Sequence, residues 1–272
     1  MRRTDDRRVI KVRPPRSAED ELEKTPMEEA EEMLHRAYGE SRAERRLSLA
    51  QKALELSTDC AEAWLMLARE GSHEAEKRAE LYERAMAASM RIMGSKPFEE
   101  SVGHFWGILE ARPYLRARFG LAETLWEMGR KHEALEHYRE LLRLNPGDHQ
   151  SVRYVLIQRL LSLGLDDSAQ SLLQRYEGEE SIYWYYTSAL VSFRLLGESS
   201  RSRELLQRAL KRFPKTVSFL LDPSKIPQDE RLYYALPSEQ RDGIEYAKSF
   251  ASHWKATAGA LQWLDSQEKG ES

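Results

Sequence analysis

Three glycine-led turns recur along this chain: Gly129-Arg130-Lys131-His132-Glu133-Ala134, Gly164-Leu165-Asp166-Asp167-Ser168-Ala169 and Gly197-Glu198-Ser199-Ser200-Arg201-Ser202. Their glycines lie 35 and then 33 residues apart. Each turn follows one apolar run of helical period and precedes another, so the chain is written as successive helix–turn–helix units. A unit of this length cannot bury its apolar face alone and must stack on neighbours of the same kind. The spacing therefore predicts an all-α stack with a concave surface suited to binding, and gives no hint of a catalytic centre.

The stops agree with the turns. Asn145-Pro146 and Pro214 lie one after each of two such units, and their separation of 68 residues matches the two glycine spacings taken together. Proline beyond the last turn cannot continue a helix. Helix pairs are expected at 27–38 with 43–56, 61–69 with 74–93, 148–163 with 166–176, and 181–196 with 199–213, and Pro113 opens another helix. Thr25-Pro26-x-Glu28 has the form of a capping box with proline at the first helical position. The period is that of tetratricopeptide (TPR) repeats, and the expected architecture is a right-handed TPR-type α-solenoid of antiparallel helix pairs over residues 26–214. Residues 94–107 read as irregular. Residues 215–266 read as a C-terminal capping segment: an amphipathic helix at 243–256 carries Ala247, Phe250 and Trp254 on one stripe, and Leu261, Trp263 and Leu264 make a last short turn or helix. Residues 267–272 read as a tail.

The first 25 residues differ from the rest. Seven basic residues (Arg2, Arg3, Arg7, Arg8, Lys11, Arg13, Arg16) precede an acidic run, with little to bury, so a disordered arm is expected. Residues 2–16 offer a charge pattern for phosphates, yet no aromatic residue interleaves to stack on bases. For the whole chain the net charge of −3 gives no general pull toward nucleic acid or anionic lipid. No apolar run approaches the ~20 residues of a membrane span. A single cysteine, Cys60, rules out an intrachain disulfide and suits a reducing, cytoplasmic setting.

A search for chemistry finds none. His132 and His137 sit five apart, about 140° around a helix, so they do not share a face. No zinc-ligand spacing, glycine-rich phosphate loop or nucleophile elbow is present. Cys60 reads as a small packing residue. No catalytic residue, metal or cofactor is expected.

Binding is the alternative to chemistry. Counting from the shared register, the first helix of each pair turns Arg116, Phe119 and Glu123, then Ser151, Tyr154 and Gln158, then Trp184, Thr187 and Leu190 or Val191 inward. Arg112, Gln150 and Arg153 lie beside them. Lysine and asparagine, which grip a peptide carboxylate in some repeats, are absent there; the arginines offer forked hydrogen bonds to an acidic segment instead, or pair with neighbouring glutamates. His104-Phe105-Trp106 lies in the irregular stretch, either plugging a gap between repeats or presenting His104 and Trp106 over the groove.

Several stretches carry a family resemblance: Gly103-His104-Phe105-Trp106, Arg112-Pro113-Tyr114-Leu115-Arg116-Ala117, Tyr138-Arg139-Glu140-Leu141-Leu142-Arg143-Leu144-Asn145-Pro146, Val152-Arg153-Tyr154 and Gly259-Ala260-Leu261-Gln262-Trp263-Leu264. Over roughly residues 26–265 the chain resembles the bacterial TPR proteins related to the suppressor-of-tumorigenicity family. Ala111, Gly147, His149 and Ala258 depart from the family's usual residues. The resemblance implies the fold and leaves the activity undefined. The expected function is a non-catalytic scaffold or adaptor that binds a protein or peptide segment in the TPR groove. The alternative is a nucleic-acid-associated regulator acting through the basic arm.

Overall fold

The computed structural model describes residues 24–270. The arm residues 2–16, and residues 271–272 of the tail, lie outside the described residues. Among the described residues the structure is helical throughout, with no β-strand. The helices are α1 (Pro26–Gly39), α2 (Ala43–Leu56), α3 (Ala61–Glu70), α4 (Ala75–Met93), α5 (Lys96–Glu100), α6 (Arg112–Glu127), α7 (Lys131–Leu144), α8 (Val152–Ser162), α9 (Asp166–Arg175), α10 (Ile182–Leu196), α11 (Ser200–Arg212), α12 (Thr216–Leu221), α13 (Glu230–Ala235), α14 (Ser238–Ala256) and α15 (Ala260–Gly270). The chain divides into two compact units, residues 1–137 and 138–272.

The expected turns are where the glycines stand. Gly129, Gly164 and Gly197 hold φ of 78°, 68° and 62°, left-handed values that let each helix stop and the next reverse direction without a Cβ clash. The capping box also forms: the Glu28 backbone N–H donates to Thr25 Oγ1 at 3.2 Å, and the Thr25 N–H donates to Glu28 Oε2 at 2.8 Å. Ser199 and Ser202 build an equivalent pair at the start of α11.

In the first unit α1 pairs with α2 and α3 with α4, while α6 lies along α4 and touches α3. The buried residues include Ala30, Ala37, Ala50, Ala53, Ala63, Ala85, Ala117 and Ala122. Small side chains let helix axes approach closely, and Leu34, Leu65, Leu81 and Leu115 fill the remaining space. The closest approach is at Gly120 inside α6. A Cβ there would meet the ring of Tyr82 at 2.3 Å, and Tyr82 is itself buried. Alanine is the better helix former, yet Gly120→Ala is expected to destabilise by about 1–3 kcal/mol because α4 must be pushed away. A urea titration showing equal or higher stability would contradict this packing.

The stretch read as irregular is more ordered than its glycines suggest. It holds α5 and two short 3₁₀ turns, Phe105–Gly107 and Leu109–Ala111. Phe105 is fully buried, with Phe98 at 4.9 Å and Tyr114 at 6.1 Å between ring centroids. The aromatic residues fold the segment against the start of α6.

In the second unit α8 pairs with α9 and α10 with α11, and α9 also packs on α10. The chain after Pro214 contributes more helix than the sequence suggests. Val217 lies in α12, the amphipathic helix starts at Ser238 instead of 243, and α15 runs through most of the expected tail to Gly270. Within 223–237 the three prolines leave room for α13. Helix α14 packs on α12 and α10 and reaches α8. Its stripe is buried: Trp254 donates its indole N–H to Tyr246 Oη at 3.1 Å, and that hydroxyl meets Thr187 Oγ1 at 3.3 Å. Tyr246 stacks on Phe250 with centroids 4.7 Å apart, and Trp263 of α15 stacks on Phe193 at 4.5 Å.

Candidate functional site

In the first unit the predicted residues Arg112 and Trp106 hold each other. The guanidinium of Arg112 lies 5.0 Å from the Trp106 ring centroid and its Nε donates to the Trp106 carbonyl at 3.3 Å. The tryptophan read as a groove contact is thus also a brace for the 3₁₀ segment, while His104 is exposed. Arg116 makes an ion pair with Glu62 of α3, and Phe119 is half-buried. The pairing with a neighbouring glutamate, weighed against ligand binding in the sequence, is what Arg116 adopts.

In the second unit the structure gathers Arg153, Tyr154 and Trp184. The Arg153 guanidinium lies 4.7 Å from the Tyr154 ring, 5.2 Å from Tyr176 and 5.9 Å from Trp184, a cation inside an aromatic box. It pairs with Asp148 at 3.3 Å and with Glu179. Asp148 takes φ of 51° and Ser151 φ of 60°, both left-handed without glycine. The Asp148 carboxylate repays that strain locally by accepting the Val152 and Arg153 backbone N–H groups at 2.7 and 3.0 Å, which caps α8.

Trp184 faces differently from its predicted orientation. It is 3% exposed, and its indole N–H donates to the Leu173 carbonyl at 3.2 Å, so it packs toward α9. The neighbouring Tyr183, about 100° around the helix, holds the side facing Tyr154, Tyr246 and Phe250, at 5.3, 5.6 and 5.8 Å. Thr187 and Leu190, read as inward groove positions, are buried, with Thr187 against Tyr246 of α14. A one-residue error in register exchanges these roles, and the chain's own α14 covers that face of α10. Tyr176, Tyr183 and Glu179 are the members that sequence reasoning missed. Their signal was the aromatic density of Tyr183-Trp184-Tyr185-Tyr186.

What remains available around α8 has an electrostatic signature. Gln150 Oε1, Arg153 Nε and Ser181 Oγ are buried without a hydrogen-bond partner. Each such atom costs about 1–3 kcal/mol unless something meets it. Across α10, between α9 and α11, an open recess of about 410 Å³ is floored by Leu173, Trp184, Val191 and Leu205 and rimmed by glutamates and arginines.

The titratable groups serve packing. Among the described residues no group of three or more His, Cys, Asp or Glu is placed to hold a metal. Burial raises the Cys60 thiol above its ordinary value, which favours the unreactive form. His137 is pushed down to about 4, first by burial and then by Arg118. The unfolded chain therefore binds this proton below its usual value near 6.5 while the folded chain does not. The contribution is complete above pH 6.5 and is lost as pH falls toward 4. Allowing for solvent screening of a half-buried group, the loss is on the order of 1–2 kcal/mol. Urea midpoints at pH 7 and pH 4.5 should differ less in His137→Gln than in the wild type, and an unchanged difference would show that other groups set the slope.

Tandem helix pairs, left-handed glycine turns at the repeat period and a sheet-free core define an all-α, TPR-like repeat protein. The chain belongs to the ST7 protein family, whose family model matches residues 20–271. It is 27% identical to the Protein ST7 homolog of Caenorhabditis elegans, over 86% of this chain and 49% of that protein. It is 26% identical to the human Suppressor of tumorigenicity 7 protein-like, over 88% of this chain and 45% of that one. The chain thus spans about half the length of the curated relatives it matches. Among solved structures, YrrB, described as a TPR protein with an unusual peptide-binding site, aligns with a TM-score of 0.48 at 18% identity, over 72% of this chain and 90% of that one. Among the described residues no helix is long and apolar enough to cross a membrane.

Proposed function

We propose that this chain is a non-catalytic interaction scaffold and that the second unit takes a segment of a partner protein on the α8 face around Gln150 and Tyr154. The observation that carries this reading is the set of unpartnered buried polar atoms on Gln150, Arg153 and Ser181. A peptide backbone brings donors and acceptors in the number needed to meet them. The helical frame is already ordered, so this side loses little entropy on binding. Arg153 and Trp184 hold the frame, and the partner reads the half-buried Gln150 and Tyr154 beside them.

A photo-crosslinking phenylalanine analogue at position 150 tests this in the native host. The expected result is a discrete protein adduct that Tyr154→Ala abolishes and that is missing when the analogue replaces exposed Lys255 on α14. Equal adducts from both positions, or none from 150 in a folded protein, would defeat the reading.

A further inference from the structure

We infer that the recess between α9 and α11 is a second docking site, and that it takes a linear protein segment carrying an apolar anchor beside an acidic residue. The floor supplied by Leu173, Val191 and Leu205 suits the apolar anchor. The rim is divided by charge. Arg201 and Arg208 stand on the α11 side, and Glu177 and Glu180 on the turn after α9. Arg201 is engaged by Glu204 at 3.0 Å, but Arg208 joins no ion pair; its guanidinium rests 5.9 Å from the Tyr185 ring. Stacked and exposed, it presents its forked donors to solvent, the geometry that receives a carboxylate. Set into the same wall, Ser192 is 4% exposed and its Oγ has no hydrogen-bond partner. That hydroxyl gives the pocket a polar point which a purely greasy side chain would leave unmet.

A linear occupant is favoured by repetition. A second recess of about 340 Å³ lies one hairpin earlier, over α8 between the α9 side and the end of α7. Leu172 and Arg175 line it as Leu205 and Arg208 line the first, each pair 33 residues apart. The same leucine–arginine chemistry repeated at the repeat period serves a chain that runs from one hairpin to the next; a small molecule would use one recess only. The reading depends on the scaffold proposal for its class of partner but not on Gln150 and Tyr154, so the two fail separately.

The probe is a phage-displayed library of random dodecapeptides selected on the full chain. Enriched sequences are synthesised with fluorescein and titrated by anisotropy against the wild type, Arg208→Glu, Arg201→Glu and Gln150→Ala/Tyr154→Ala. Enriched peptides should carry an acidic residue close to Leu, Ile or Phe. Their affinity should fall at least about tenfold with Arg208→Glu and hold within about twofold for Gln150→Ala/Tyr154→Ala. Helical content by circular dichroism verifies folding, and Arg201→Glu supplies the charge reversal if Arg208→Glu does not fold. Peptides lacking the acidic–apolar pair, peptides indifferent to both charge reversals, or no enrichment at all would overturn the proposal. A wild-type dimer in sedimentation equilibrium that Arg208→Glu dissolves would also overturn it, by making the occupant a second copy.

Discussion

Trp254→Ala is expected to lower the unfolding free energy by about 3–5 kcal/mol, the largest single effect in the molecule. Trp254 is fully buried and among the bulkiest side chains of the core. Its ring meets Tyr186 at 6.4 Å and Trp263 at 6.5 Å, so truncation opens a cavity among α10, α14 and α15 at once. It also removes the donor to Tyr246 Oη. A gentler variant separates the two contributions: Tyr246→Phe keeps the ring stack on Phe250 but strands the Trp254 N–H and the Thr187 hydroxyl, and should cost about 1–3 kcal/mol. Urea unfolding followed by tryptophan fluorescence gives both values. A loss below about 1 kcal/mol for Trp254→Ala would mean that the C-terminal helices are not integral to the second unit.

Arg153→Met is the second large effect, expected at about 3–5 kcal/mol. The side chain of Asp148 is 0% exposed and that of Arg153 17%, so removing the cation leaves a carboxylate buried beside Glu179. Methionine keeps most of the stem's packing, so the loss reports charge. Asp148→Asn then distinguishes the ion pair from general damage. Asparagine tolerates the left-handed backbone and still accepts from the Val152 N–H. The double variant Arg153→Met/Asp148→Asn should be more stable than the sum of the two single losses by about 1–3 kcal/mol. Strict additivity would show that the two side chains do not depend on each other.

The sequence was most legible where backbone geometry admits few residues. The glycine turns at 129, 164 and 197, the Thr25–Glu28 box and the proline stops mark helix ends, because positive φ and a missing N–H restrict what can stand there. It was least legible where side-chain direction decides. A run such as Tyr183-Trp184-Tyr185-Tyr186 is apolar all round, so periodicity does not say which ring faces which neighbour. The shift from Trp184 to Tyr183 follows from that ambiguity. Phe105 illustrates another gap: in a segment rich in glycine and polar residues, a buried aromatic triad with Phe98 and Tyr114 orders the chain through contacts that no local pattern encodes. The recess over α10 was invisible for the same reason, being assembled from three helices whose relevant residues are scattered through 170–208.

The central claim is that the second unit receives protein segments on surfaces it has already built. Hydrogen exchange of the full chain, alone and with the partner captured from position 150, tests it most directly. The account predicts added protection in peptides covering 146–160 and 170–210, with the α14 core around Tyr246 and Trp254 unchanged. Protection confined to residues 24–137, or a loss of protection in α14 on binding, would contradict it.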